Sequence, residues 1–195
     1  MKRIVVFASG SGTNFQALID AFDRGDLKAE LSGLIASRAG IGALDRAREA
    51  DIPLWIINPA DYSGSDEFGE ALLERLNDID PDLVVLAGYL VKIPSTVIAA
   101  YEGRIINIHP SLLPKYGGQS YYGIRVHEAV LKAGECESGC TVHLVTDNYD
   151  EGPVLAQERV KVLPDDTPES LAGRILEREH KLLPAVVQQL LDQTT

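Results

Sequence analysis

The sequence predicts an α/β fold: a Rossmann-like, open, mostly parallel twisted sheet with helices on both faces and an antiparallel edge in its C-terminal half. Three observations carry this. Short β-branched apolar runs alternate with stretches of helical period through the first half, joined by short connections. Polar residues gather where the apolar runs stop. In the second half two runs take on the alternating texture of strands with one exposed face.

The first run, Ile4-Val-Val-Phe-Ala, reads as a buried strand. Gly10-Ser-Gly-Thr-Asn then turns the chain into a helix whose apolar face carries Phe15, Leu18, Ile19 and Phe22. Leu31 to Ala36 is a second strand. Ile41 to Ala50 is a helix, with Leu44 and Ala47 inward and Asp45, Arg46 and Arg48 outward. Leu54 to Ile57 is a third strand. Asp66 to Asp78 is a helix burying Phe68, Leu72 and Leu76, and Leu83 to Ala87 is a fourth strand. Pro94 to Ala100 forms a short helix before the strand Arg104 to His109. Pro110 ends that strand, because proline cannot donate to a ladder.

Beyond it the texture changes. Leu112 to Tyr122 is a loop rich in Pro, Gly, Ser and Tyr, and Gly123 to Ala133 is a helix. Thr141 to Val145 and Val154 to Val162 are strands expected to pair antiparallel around the loop Thr146 to Pro153. Thr167 and Pro168 cap and open a long final helix that ends near Leu191. Pro184 marks a candidate break in it.

The 195 residues suit one domain, 45% hydrophobic and 24% charged, which excludes disorder as the main state. Residues 1–100 read as a phosphate-binding half and 101–195 as a catalytic half. A net charge of −11 argues against a broad nucleic-acid surface. An anion must therefore be held locally. No apolar run is long enough to span a membrane and no signal peptide is evident, so a cytoplasmic protein is expected, without nucleic-acid or membrane partners. Two cysteines are too few for a disulfide framework.

Two constellations point to chemistry. Ser9 to Asn14 link the first strand to the first helix, and glycines there let amides approach a ligand at a helix N-terminus. No Gly-Lys-Ser/Thr follows, and Phe15 stands where a dinucleotide fingerprint has its third glycine. Arg38 follows the second strand where an acidic residue would hold a ribose diol. A single phosphate is favoured over a dinucleotide. Second, Asn107 and His109 leave one face of a strand end. Asp150, in the loop after the strand bearing His143, would raise the His109 pKa and favour its charged form. An amide and an imidazolium together stabilise an oxyanion, which is acyl-transfer equipment without a covalent nucleophile.

No metal is expected. His127, Cys136, Cys140 and His143 fall within one short span, yet Cys140 and His143, three apart on a strand, leave opposite faces, and buried Cys140 reads as a small hydrophobe. His143 itself reads as structural. Glu179-His180 on the last helix could serve a substrate amine and a strand end respectively, but alone they read as helix-surface contacts.

Asn107-Ile-His-Pro-Ser-Leu-Leu-Pro with Asp150-x-Gly-Pro downstream resembles the folate-dependent formyltransferases. The resemblance runs from Ile4-Val-Val-Phe-Ala-Ser-Gly-Ser-Gly-Thr-Asn through Leu86-Ala-Gly-Tyr to Glu179-His180. It implies transfer of a formyl group from 10-formyltetrahydrofolate, as co-substrate, to the glycinamide amine of a phosphoribosyl substrate in purine biosynthesis. The alternatives are hydrolysis of the formyl folate or formylation of another amine. A non-catalytic nucleotide- or folate-binding module would keep the phosphate loop without needing Asn107, His109 and Asp150 together. The resemblance makes these three the catalytic trio. It gives Gly12, Thr13 and Asn14 to the phosphate and Glu179 to the amine end. Leu90, Val91, Lys92, Ile93, Asn107, Val145 and Asp147 would line the pterin pocket. Small-molecule substrates and a monomer or homodimer are implied. The chain departs from the commoner pattern at Lys115-Tyr-Gly-Gly, at Gln119-Ser-Tyr-Tyr, at Ser65 and at Lys92, all bearing on loop shape and folate-tail contacts.

Overall fold

A computed structural model describes residues 1–193. Seven strands form one sheet in the order β3-β2-β1-β4-β5-β6-β7. They are β1 (Arg3–Ala8), β2 (Glu30–Ala36), β3 (Leu54–Ile56), β4 (Leu83–Leu86), β5 (Ile105–His109), β6 (Glu137–Leu144) and β7 (Val154–Lys161). The first five run parallel, and β6 and β7 add antiparallel at one edge. Six α-helices connect them: α1 (Thr13–Asp23), α2 (Gly42–Glu49), α3 (Ser65–Ile79), α4 (Ser95–Ala100), α5 (Ile124–Lys132) and α6 (Pro168–Gln193).

Alternation along the strands builds two cores. Ile4, Val6 and Ala8 of β1 join Phe15 and Leu18 of α1, Leu44 of α2, Val130 of α5 and Ile175 of α6 on one face. Val5 and Phe7 face the other way, onto Phe68, Leu72 and Leu76 of α3 and Val97 of α4. The order of the strands reverses direction around β1 and β4. There, loops after neighbouring strands diverge and leave a crevice at the C-terminal edge.

Four details differ from the sequence expectation. Phe22 is 42% exposed, because the apolar stripe of α1 continues one turn beyond the surface it covers. β3 stops at Ile56 rather than Ile57. β6 begins at Glu137, well before Thr141. Glu-Ser-Gly-Cys has little strand character of its own, yet pairing with β7 recruits it, and Gly139 lets the two backbones close. Finally, α6 runs unbroken through Pro184, which is buried among the side chains that hold the helix on the sheet. The lost backbone donor is one bond in a helix of 26 residues. Its start is as expected: Ser170 N–H donates to Thr167 Oγ1 at 3.2 Å, and Thr167 N–H to Ser170 Oγ at 3.0 Å. Among the described residues no helix is long and apolar enough to cross a membrane.

Candidate active site

A cleft of about 900 Å³ opens along the C-terminal edge of the sheet. On β5, Ile106 and Ile108 point into the first core, so Asn107 and His109 share the opposite face. Antiparallel pairing sets His143 of β6 beside Asn107. The β6–β7 connection then returns Asp150 to both.

His109 is 4% exposed. Its Nε2–H donates to the Tyr116 carbonyl at 2.7 Å, and its Nδ1 lies 3.6 Å from Asp150 Oδ2. Tyr116 and Asp150 both adopt left-handed backbone, with φ of 56° each. Two unusual conformations on either side of the imidazole mark a constrained site. Gly118 N–H donates to Asp150 Oδ2 at 2.9 Å. His143 gives its Nδ1–H to the Leu144 carbonyl at 2.9 Å, so in the neutral ring Nε2 accepts from Asn107 Nδ2 at 3.1 Å. The other Asn107 amide hydrogen reaches Asp150 Oδ1 at 3.4 Å. That bond is long and weak, leaving a donor that a substrate oxygen can redirect.

The electrostatics correct one expectation. Burial pushes the His109 pKa below its ordinary value. The Asp150 charge and the Tyr116 carbonyl pull the other way without overcoming it, and His143 adds to the lowering. His109 is therefore neutral at rest at pH 7. Asp150 is also pushed up by burial, but the nearby His143 ring, with Nε2 3.4 Å from Asp150 Oδ1, the His109 ring and the Gly118 N–H outweigh this and lower it. It stays ionised. The result is a neutral imidazole facing a carboxylate, prepared to become an ion pair when a proton arrives.

The glycine loop forms the far end of the cleft. Gly12 caps α1 in left-handed backbone, φ 74°, with no side-chain cap. A Cβ there would lie 2.7 Å from Ala43. Arg46 on α2 braces the loop, donating through Nε to the Ser11 carbonyl at 2.9 Å and through a terminal nitrogen to Gln16 Oε1 at 2.9 Å. Gly12, Thr13 and Asn14 all line the cleft. Asn14 also does something the loop alone does not suggest. Its Nδ2 donates to Glu179 Oε2 at 2.7 Å, and its Oδ1 has no protein partner. Glu179 is 6% exposed, not a helix-surface residue. Burial, only partly offset by Asn14, pushes its pKa up to about 7.

Leu90, Val91, Lys92 and Ile93, with Val145 and Asp147, line the opposite wall. They are not equivalent. Ile93 belongs largely to the second core, whereas Leu90 is 58% exposed and Asp147 lies at the rim. Lys92 Nζ sits 5.7 Å from the Tyr149 ring centroid. Sequence reasoning weighed His143 and His127 only as metal ligands or structural residues and gave Tyr89 no role, yet all three line the same cleft. The signal for His143 was its alternation with Val142, but its partner depends on a register that sequence patterning leaves open. Cys140 is fully buried, its thiol pushed up to about 12 by burial first of all. Among the described residues no group of three or more His, Cys, Asp or Glu is placed to hold a metal.

Gly152 fixes the loop that delivers Asp150. A Cβ on it would fall 1.8 Å from the Leu144 carbonyl oxygen. Gly152→Ala is expected to destabilise the fold by roughly 2–4 kcal/mol, as overpacking against backbone does. Urea denaturation at equilibrium measures it.

A buried amide–imidazole–carboxylate group at a strand end, sharing a cleft with an anion-suited loop, is a site for acyl-group chemistry. Residues 2–187 match the formyl transferase family, and the chain belongs to it. Among its relatives, the chloroplastic phosphoribosylglycinamide formyltransferase of Vigna unguiculata is 41% identical over 98% of this chain, which spans 62% of that protein. The phosphoribosylglycinamide formyltransferase of Bacillus subtilis is 37% identical over 98% of this chain and 95% of its own. The crystal structure of glycinamide ribonucleotide transformylase 1 from Symbiobacterium toebii superposes with a TM-score of 0.93 at 40% identity, covering 99% of this chain and 89% of that one.

Proposed function

We propose that this chain transfers the formyl group of 10-formyltetrahydrofolate to the glycinamide amine of 5-phosphoribosylglycinamide, a step of purine biosynthesis. The observation that carries the reading is the convergence of Asn107, His109 and Asp150 in one cleft with the glycine loop and Glu179. The names of the relatives support it. Gly12, Thr13 and Asn14 hold the phosphate, chiefly through backbone N–H groups at the start of α1. Glu179 faces the amine end. Leu90 to Ile93, Val145 and Asp147 form the wall for the pterin ring.

The amine nitrogen attacks the formyl carbon, forming a C–N bond and turning the formyl oxygen into an oxyanion. Asn107 swings its weakly held amide hydrogen onto that oxygen. His109, neutral beforehand, takes the proton that the attacking amine sheds, directly or through a water. Asp150 then stabilises the imidazolium, which adds its charge to the oxyanion's support. When the bond to the folate nitrogen breaks, His109 returns the proton to that nitrogen. No metal takes part in this scheme.

The test is product formation from 10-formyltetrahydrofolate with and without the ribonucleotide. Turnover only when both are present is expected. Equal turnover without ribonucleotide would instead make the protein a formyl folate hydrolase, and absence of formyl-donor binding would make it a non-catalytic module.

A further inference from the structure

His127 is a third imidazole in the cleft, and the scheme above does not use it. It comes from α5 and is 4% exposed, yet it lines the cleft. Its Nδ1 is buried without a protein partner. A buried polar nitrogen left unpaired costs on the order of 1–3 kcal/mol, so a site that keeps one generally has a use for it. Two other unpaired atoms face the same cleft, Asn14 Oδ1 and the Tyr89 hydroxyl.

Placement narrows the ligand. α5 packs on α6, the helix that carries Glu179, and both lie on the sheet face that also holds α1. The formyl-donor wall, Leu90 to Ile93, belongs with α4 and the opposite core. His127 also stands close enough to His109 for their charges to interact. It therefore lies on the side of the cleft built by α1, α5 and α6, which carries the glycine loop and Glu179, and within reach of His109. Chemistry narrows the ligand further. Burial above all, with His109, pushes the His127 pKa down to about 4, so the ring is neutral in the working range. A neutral imidazole offers one donor and one acceptor. A phosphate accepts only and an ammonium donates only, whereas a hydroxyl satisfies either ring tautomer.

We propose that His127 is a substrate-contacting residue of the transfer site that hydrogen-bonds a sugar hydroxyl of the phosphorylated amine substrate. This inference rests on the function proposed above. It assigns His127 to positioning of the ribose, not to proton transfer.

The test compares wild type with His127→Leu and the milder His127→Gln in steady-state kinetics. For His127→Leu, KM for the ribonucleotide should rise about tenfold, the value of one hydrogen bond. KM for the formyl donor and kcat should stay within about threefold. His127→Gln, which keeps a donor and an acceptor, should recover part of the loss and serves if the leucine variant fails to fold. Ribonucleotide analogues lacking the 2′- or 3′-hydroxyl give a readout that a merely structural role would not move. One of them should bind wild type about tenfold more weakly, while His127→Leu binds it as well as the full substrate. Unchanged ribonucleotide KM in both variants, equal losses for every analogue, or a loss confined to kcat would overturn the proposal. Calorimetric titration with the ribonucleotide separates the two readings. Turnover that ignores the ribonucleotide sinks the proposed reaction, and ribonucleotide affinity equal in wild type and His127→Leu sinks the His127 contact.

Discussion

His109→Ala is expected to lower kcat by roughly 10²–10⁴-fold, the usual worth of a positioned proton-transfer group, while the dissociation constant of the ribonucleotide changes by no more than a few fold. The split follows from position. His109 sits beside Asn107 and Asp150 at the end of β5, whereas the glycine loop follows β1. Single-turnover kinetics with calorimetric binding measures both quantities. The same residue sets a pH dependence. His109 must be neutral to take the amine proton, and burial holds its pKa below the ordinary 6.5. The acid limb of the kcat profile should therefore fall below pH 6.5. Asp150→Asn removes the charge that partly opposes the burial effect, so its acid limb should lie lower still. A near-normal kcat for His109→Ala would remove His109 from the chemistry.

Glu179→Gln should stabilise the fold at pH 8 and weaken ribonucleotide binding at the same time. The Glu179 pKa stands near 7 in the folded chain against an ordinary 4.5, because burial disfavours the carboxylate. Below about pH 4.5 the acid is protonated in both folded and unfolded states, and nothing is lost. Between about pH 4.5 and 7 the unfolded chain ionises while the folded one stays protonated, so stability falls across that window and levels off above it. The loss at pH 8 should be about 3 kcal/mol, from a rise from 4.5 to about 7 at roughly 1.4 kcal/mol per pKa unit. Glutamine keeps an acceptor for Asn14 Nδ2 but cannot ionise, so its stability profile should be flat across that range. Urea midpoints of the two proteins at pH 5 and pH 8 measure the difference. Equal pH dependence in both would mean that Glu179 titrates normally.

Much of this architecture was legible in the chain. Ile4 to Ala8, Phe15, Leu18 and Ile19 announced the first βα unit because a buried strand and an amphipathic helix have different periods. Asn107 and His109 were placed on one strand face by counting to Pro110. What could not be read depended on distant neighbours. His143 meets Asn107 only through the β5–β6 register, and Glu137 to Cys140 are a strand only because β7 lies alongside. The direction of the His109 pKa was misjudged for the same reason. Asp150 was visible in the sequence, but the burial that outweighs it is a property of the assembled cleft.

The hydrogen bond between Asn14 and Glu179 joins residues 165 positions apart. During synthesis this gives the site a strict timetable. The first βα unit emerges early, but the glycine loop cannot gain its acidic partner until most of the chain has left the ribosome. Until then the nascent chain lacks Leu171, Ile175, Leu183 and Val187, the side chains with which α6 closes the first core. Long-range closure of this kind is slow and leaves apolar surface exposed while it waits. A nascent chain paused before α6 should thus be a chaperone client that cannot bind ribonucleotide, however well its first strands have paired.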